Sequence, residues 1–170
     1  RRGVLATCRK AYVMSQDRII FVPWDEGQAG AFKSETAYAE ANRDQTHYKR
    51  HFSAVYLDSP GEPLKAVGIG SGVRIHIAGH GAIGDPNVYA DHGTGGATRS
   101  YVEVVDLLIA KGLRKYYVGT IACDVCYSAL GSPPFAKLLA KELWSRGFVA
   151  TCVLGYKGSL YATYRDRNAN

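Results

Sequence analysis

The chain has 170 residues, 46% of them hydrophobic and 21% charged, with a formal net charge of +6. That length suits one domain with a sizeable core, and no apolar run approaches the roughly 20 residues that span a bilayer. Lys and Arg are spread along the whole chain with no aromatic interleaving or recognisable module, which argues against nucleic-acid binding.

The basic charge therefore reads as a solvated surface, with a phosphate-rich ligand or an acidic membrane as the functional alternative. The opening Arg1-Arg2-Gly3-Val4 has no apolar core of a signal peptide and reads as the start of an excised domain or a processed fragment. The four cysteines are Cys8, Cys123, Cys126 and Cys152. They are too few for a disulfide-stapled scaffold of this length, so a reducing compartment is expected. Cys152, inside Phe148-Val-Ala-Thr-Cys-Val-Leu154, is expected to be a buried strand residue, and Cys8 carries no signal.

In chain order, a lead-in strand is read around Val4 to Thr7, and Asp17 to Trp24 is a clear strand closed by Pro23. From about Ala31 to Val55 the periodicity is helical, with Tyr38, Ala41, Tyr48, Phe52 and Val55 on one face and Gln45 breaking the stripe. Asp58-Ser-Pro-Gly61 is a turn. The run Gly68, Gly70, Gly72 precedes a strand rather than a helix N-terminus, so it is taken as a turn and not as a phosphate loop.

Val73 to Ala78 is a strand that ends in Gly79-His80-Gly81, followed by a loop from Ala82 to Gly96. Ser100-Tyr-Val-Glu103 has the pattern of a capping box and opens a helix that Lys111 and Gly112 close. Tyr116 to Ile121 is an apolar strand running into Cys123. Ser132, as N-cap with Pro133 at the first helical position, opens a helix that Gly147 stops, and Phe148 to Leu154 is the last strand. The tail from Tyr156 to Asn170 reads as loop. This alternation implies one α/β domain, core about 17–155, with a mainly parallel central sheet and helices on both faces.

Two strand ends then lie on one sheet edge, where open α/β sheets hold their ligands. One carries the His80 imidazole and the other the Cys123 thiol. A thiolate nucleophile needs a base or imidazolium beside it, and the amides of Gly81 and Cys123 are candidate oxyanion donors. Asp91 and His92 are candidates to orient His80 or contact substrate. Other uses of these residues stay open: Cys123-Asp-Val-Cys126 is a C-x-x-C that fits a redox pair or half a zinc site. Its context fits poorly, because the next helix starts only at Ser132. His76 and His80 would complete a zinc site only if they lay on a helix.

At Arg74-Ile-His-Ile-Ala-Gly-His80-Gly81 and Val118-Gly-Thr-Ile-Ala122-Cys123 the chain resembles the caspase-like, clan CD cysteine peptidases. The likeness covers roughly Asp17 to Gly155 and looks most like the domains of bacterial toxins and effectors. The resemblance implies a caspase-like fold and a cysteine endopeptidase that works through a thioester acyl-enzyme. Cys123 would be the nucleophile, His80 the acid for the leaving amine, and the amides of Gly81 and Cys123 the oxyanion hole. Asp124 would shape a pocket for a basic P1 residue. The implied partner is a protein or peptide substrate, the chain itself or a host protein, and the implied setting a secreted bacterial protein acting in host cytosol. No metal and no resident cofactor are implied. Toxin-type members bind inositol hexakisphosphate at a β-hairpin flap after the last core strand. Residues 156–170 are too short and polar for that flap, and Cys126 is not part of the family pattern. An inactive caspase-like binding module and a redox or zinc-binding α/β domain are the competing readings.

Overall fold

In the computed structural model, residues 18–30, 32, 52–67, 72–91 and 96–160 are described. Five short strands form one parallel sheet: β1 (Arg18–Phe21), β2 (Phe52–Val55), β3 (Arg74–Ala78), β6 (Thr120–Asp124) and β7 (Cys152–Leu154), in the order β2-β1-β3-β6-β7. β4 (Asn87–Tyr89) and β5 (Thr98–Ser100) pair antiparallel outside it. The helices α1 (Tyr101–Ala110) and α2 (Phe135–Ser145) pack against each other. The class is α/β with a mainly parallel sheet.

Parallel pairing puts register partners on the same face of a sheet. Ile75 faces Ile121, and Ile77 faces Cys123. All four are fully buried, as expected where a parallel sheet is covered. The alternate residues His76, Ala78 and Ala122 are nearly as enclosed on the opposite face. Val104, Val105 and Leu108 of α1 and Phe135, Leu139 and Leu143 of α2 belong to the same core. The capping box at α1 forms: the Glu103 amide donates to Ser100 Oγ at 3.3 Å, and the Ser100 amide donates to the Glu103 carboxylate at 2.8 Å.

Several boundaries differ from the sequence expectation; β7, for one, starts at Cys152 rather than Phe148. Phe52–Val55 is a strand pairing residue for residue with Arg18–Phe21, not the end of a helix. A long-range ladder outweighs local periodicity for such a β-prone stretch. β6 starts at Thr120 rather than Tyr116. Tyr117 turns its ring back over Gly119 and donates from its hydroxyl to Val73 O (2.7 Å) and Thr120 O (3.1 Å), which draws the preceding residues off the sheet. α2 starts at Phe135 with Pro134 as an extended N-cap, because a residue that precedes a proline, here Pro133, is disfavoured in helix. Within the loop after β3, Asn87–Tyr89 forms β4. The expected lead-in strand, most of the helical stretch from Ala31, Gly68 and Gly70 lie outside the described residues.

Replacing Ser100 by Ala removes the acceptor for the Glu103 amide and should cost about 1 kcal/mol. The check is a lowered urea midpoint at unchanged m-value.

Candidate functional site

β3 and β6 are neighbours, and their last residues, Ala78 and Asp124, are register partners. The two chains therefore leave the sheet side by side, one into Gly79-His80-Gly81 and the other into Val125-Cys126-Tyr127. A Cβ on Gly81 would collide with Val125 Cγ1 and lie 3.1 Å from Cys126 O. Only glycine permits this approach. Further out, the Gly84 amide donates to Leu130 O at 3.1 Å, which holds the same two loops together.

His80 is fixed through its backbone and its ring. Its amide donates to Tyr89 O (2.9 Å) and its carbonyl accepts from the Tyr89 amide (3.0 Å). Its ring lies 4.7 Å from Phe32, which stacks on the fully buried Trp24. Asp85 braces the loop by accepting from the Tyr89 hydroxyl (2.6 Å) and the Asn87 amide (2.9 Å).

The two free thiols among the described residues have opposite surroundings. Cys123 lies inside β6, not past its end, with its side chain fully enclosed in the core. Burial, and after it the Asp124 charge, pushes its thiol pKa far up. That is the reverse of what a thiolate nucleophile requires and departs from the expected strand-end placement. Cys126 is partly exposed in the turn beyond the strand. The Leu160 amide donates to its Sγ at 3.3 Å, and Ser159 Oγ lies 3.8 Å away. The next residue, Tyr127, sits at φ 58°, a left-handed backbone that a bulky side chain seldom adopts. Strained residues of this kind collect at functional sites.

Residues 156–160 run beside this turn. The Tyr127 amide donates to Gly158 O (3.0 Å) and the Ala129 amide to Tyr156 O (2.9 Å). The buried Ser128 hydroxyl donates to Cys123 O (3.1 Å) and accepts from the Tyr156 amide (3.0 Å). The amides of Gly81 and Cys126 have no hydrogen-bond acceptor among the described residues.

Asp124 accepts a hydrogen bond from His76 Nδ1 at 2.8 Å. Tyr156 lies against the same carboxylate. Burial first, then the Asp124 charge, pushes its phenol up to about 12. Sequence reasoning considered His76 only as a metal ligand and set Cys126 aside. The available signals were the same-face spacing of strand residues and the position of Cys126 just past an apolar strand. Asp91 is exposed above Gly30 and Gly96, with no hydrogen bond or ion pair to His80. His92 lies outside the described residues, as does Cys8. Cys152 is disulfide-bonded and partly exposed, not an inert buried thiol. No cluster of three or more His, Cys, Asp or Glu side chains is arranged to hold a metal ion among the described residues. Nor is any described helix long and apolar enough to cross a membrane.

No protein-family model, curated protein or solved structure matches this chain.

Iodoacetamide should label Cys126 in the native protein, with Cys123 reacting only on unfolding, and peptide mapping checks the order. Equal labelling of both would contradict the burial described above. Cys123 and Tyr156 are both held protonated by the fold, from ordinary values of 9.0 and 10.0. Above pH about 9 the unfolded chain releases protons that the folded chain keeps, so stability should fall as pH rises. Denaturant midpoints between pH 8 and 11 test this.

Proposed function

We propose that this chain is a cysteine endopeptidase with a caspase-like fold and that Cys126, rather than Cys123, is its nucleophile. The observation that carries the reading is the apposition of Gly81 and Cys126. It brings the backbone of Cys126, whose thiol is partly exposed, to the residue next to His80, at the C-terminal edge of a parallel sheet. The order of the motifs along the chain and the adjacency of β3 and β6 support the caspase-like reading, with the nucleophile moved from the Cys123 of the motif to Cys126.

In this reading Cys126 Sγ attacks the scissile carbonyl carbon. A C–S bond forms, and the amide C–N bond breaks. The thiol proton passes through His80 to the leaving amine. Water then attacks the thioester, gives a proton to His80 and releases a carboxylic acid, and the thiol is restored. The amides of Gly81 and Cys126, with no acceptor of their own among the described residues, supply the oxyanion donors. Asp124, two residues before the nucleophile, sets a preference for a basic P1 side chain. The substrate class is a protein or peptide.

Peptidyl electrophiles with Arg or Leu at P1 provide the test, read by intact mass and peptide mapping. A single adduct is expected on Cys126, formed faster with Arg at P1, retained in Cys123→Ala and absent in Cys126→Ala. His80→Ala should slow its formation by about 10²–10⁴-fold. An adduct on Cys123, or labelling indifferent to His80, would overturn the assignment.

A further inference from the structure

The sheet has a second edge, opposite the one that carries His80 and Cys126. β6 begins at Thr120 and β7 at Cys152, so the segments that lead into them, 116–119 and 148–151, lie at this N-terminal edge. α2 runs back from the catalytic edge and ends there, at Ser145. Four large hydrophobic side chains stand exposed on these three pieces of chain: Trp144 (68%), Val149 (70%), Tyr116 (51%) and Val118 (49%). The proposed chemistry has no use for any of them. We propose that this end of the molecule is a docking surface for a bilayer of anionic phospholipid, which leaves the catalytic edge turned away from the membrane.

The pieces are tied into one surface. The Gly147 amide donates to Trp144 O (3.0 Å) and the Phe148 amide to Leu143 O (3.0 Å), which turns the chain from the helix directly into Val149. Thr151 Oγ1 donates to Tyr117 O (3.2 Å) and the Cys152 amide to Gly119 O (2.9 Å), which joins that segment to the one holding Tyr116 and Val118. The Lys115 stem lies against Gly147, where a Cβ would stand 3.4 Å from Lys115 Cδ. Lys141 is exposed one turn before Trp144 on the same helix face. Neither lysine has an ion pair among the described residues. The last acidic side chains of the two helices, Asp106 and Glu142, are both held by Arg146, at 3.0 and 2.8 Å. Glu62, which meets the end of α1 at Gly112, is held by Arg114 and Lys65. Exposed Trp and Tyr beside unpaired lysines suit the headgroup layer: rings and valines enter the acyl boundary while ammonium groups meet lipid phosphates. Protein interfaces are depleted in lysine, and a second copy seated on this face would bring the lysines of both copies together across a twofold axis. The formal net charge of +6 adds attraction to an anionic surface.

The chain holds two tryptophans, and Trp24 is fully buried, so a change in tryptophan emission on adding vesicles reports Trp144. The probes are vesicles of phosphatidylcholine alone and of phosphatidylcholine mixed with phosphatidylserine. Wild type should cosediment with the mixed vesicles, its emission should shift to the blue, and brominated acyl chains should quench it. Binding to phosphatidylcholine alone should be weaker by about tenfold or more, and salt should weaken binding to the mixed vesicles. Trp144→Ser should weaken binding by about tenfold or more through loss of the buried ring. Lys115→Glu combined with Lys141→Glu should do the same through loss of charge. Ile83→Ser, which removes an exposed hydrophobic from the catalytic edge, should bind as wild type does. So should Cys126→Ala, which separates this test from the peptidase reading. Circular dichroism and denaturant midpoints establish that each variant is folded. No cosedimentation of wild type, equal binding by Trp144→Ser, or binding indifferent to phosphatidylserine overturns the proposal. A dimer in sedimentation velocity that Trp144→Ser dissolves also overturns it, since the face would then belong to a second copy.

Discussion

The register of β3 against β6 is the constraint on which the rest depends. Arg74–Ala78 pairs with Thr120–Asp124 residue for residue. A slip of one position would exchange the faces of every side chain on the strand. In the observed register Cys123 stands beside Ile77 in the core, while Asp124 turns to the face that carries His76. The same register ends both strands level, so Gly81 meets Val125 and Cys126 instead of passing above or below them. One pairing pattern thus makes one thiol inert, leaves the other reachable and brings an imidazole to a carboxylate.

The two cysteines of the C-x-x-C separate for the same reason. A redox pair or a metal site needs both sulfur atoms at one point. Here Cys123 is enclosed among Ile77, Ile121 and the helices' apolar side chains, and Cys126 lies beyond the strand in a turn. Desolvation favours the neutral thiol at Cys123. At Cys126 the contacts are polar: an amide donor from Leu160 and the Ser159 hydroxyl. The strained Tyr127 backbone and the paired segment 156–160 hold this turn in a shape that a free loop would not keep.

Much of the sheet was legible because its strands are apolar, β-branched and bounded by glycine or proline, as in Val73 to Ala78. The adjacency of the His80 and Cys123 strands followed from the alternation of strands and helices. Phe52–Val55 was misread because its residues fit a helical stripe as well as a strand, and only its partner, β1, decides between the two. The start of β6 depended on where the Tyr117 hydroxyl finds its acceptors, one of which is the carbonyl of Val73, far back in the chain. The choice between Cys123 and Cys126 turned on which face of the strand each residue takes. Apolarity reveals that a strand is buried but not which of its residues ends it. The His76–Asp124 contact spans 48 positions, and no local pattern announces it.

That contact also bears on why polar groups sit on a face that could have been filled with aliphatic side chains. Burying an imidazole and a carboxylate costs desolvation that a single hydrogen bond repays only in part, and an apolar pair of similar volume would serve packing at least as well. Nothing in the hydrophobic core requires His76, since Ile75 and Ile77 already occupy the opposite face. The arrangement stands at the end of β6, two residues before Cys126, where the enclosed imidazole fixes the orientation of the carboxylate. Rigid strands set the imidazole, the imidazole sets the carboxylate, and the glycine at position 81 sets the turn that presents the thiol. Each step hands a geometric constraint from the sheet to a group that would otherwise rotate freely.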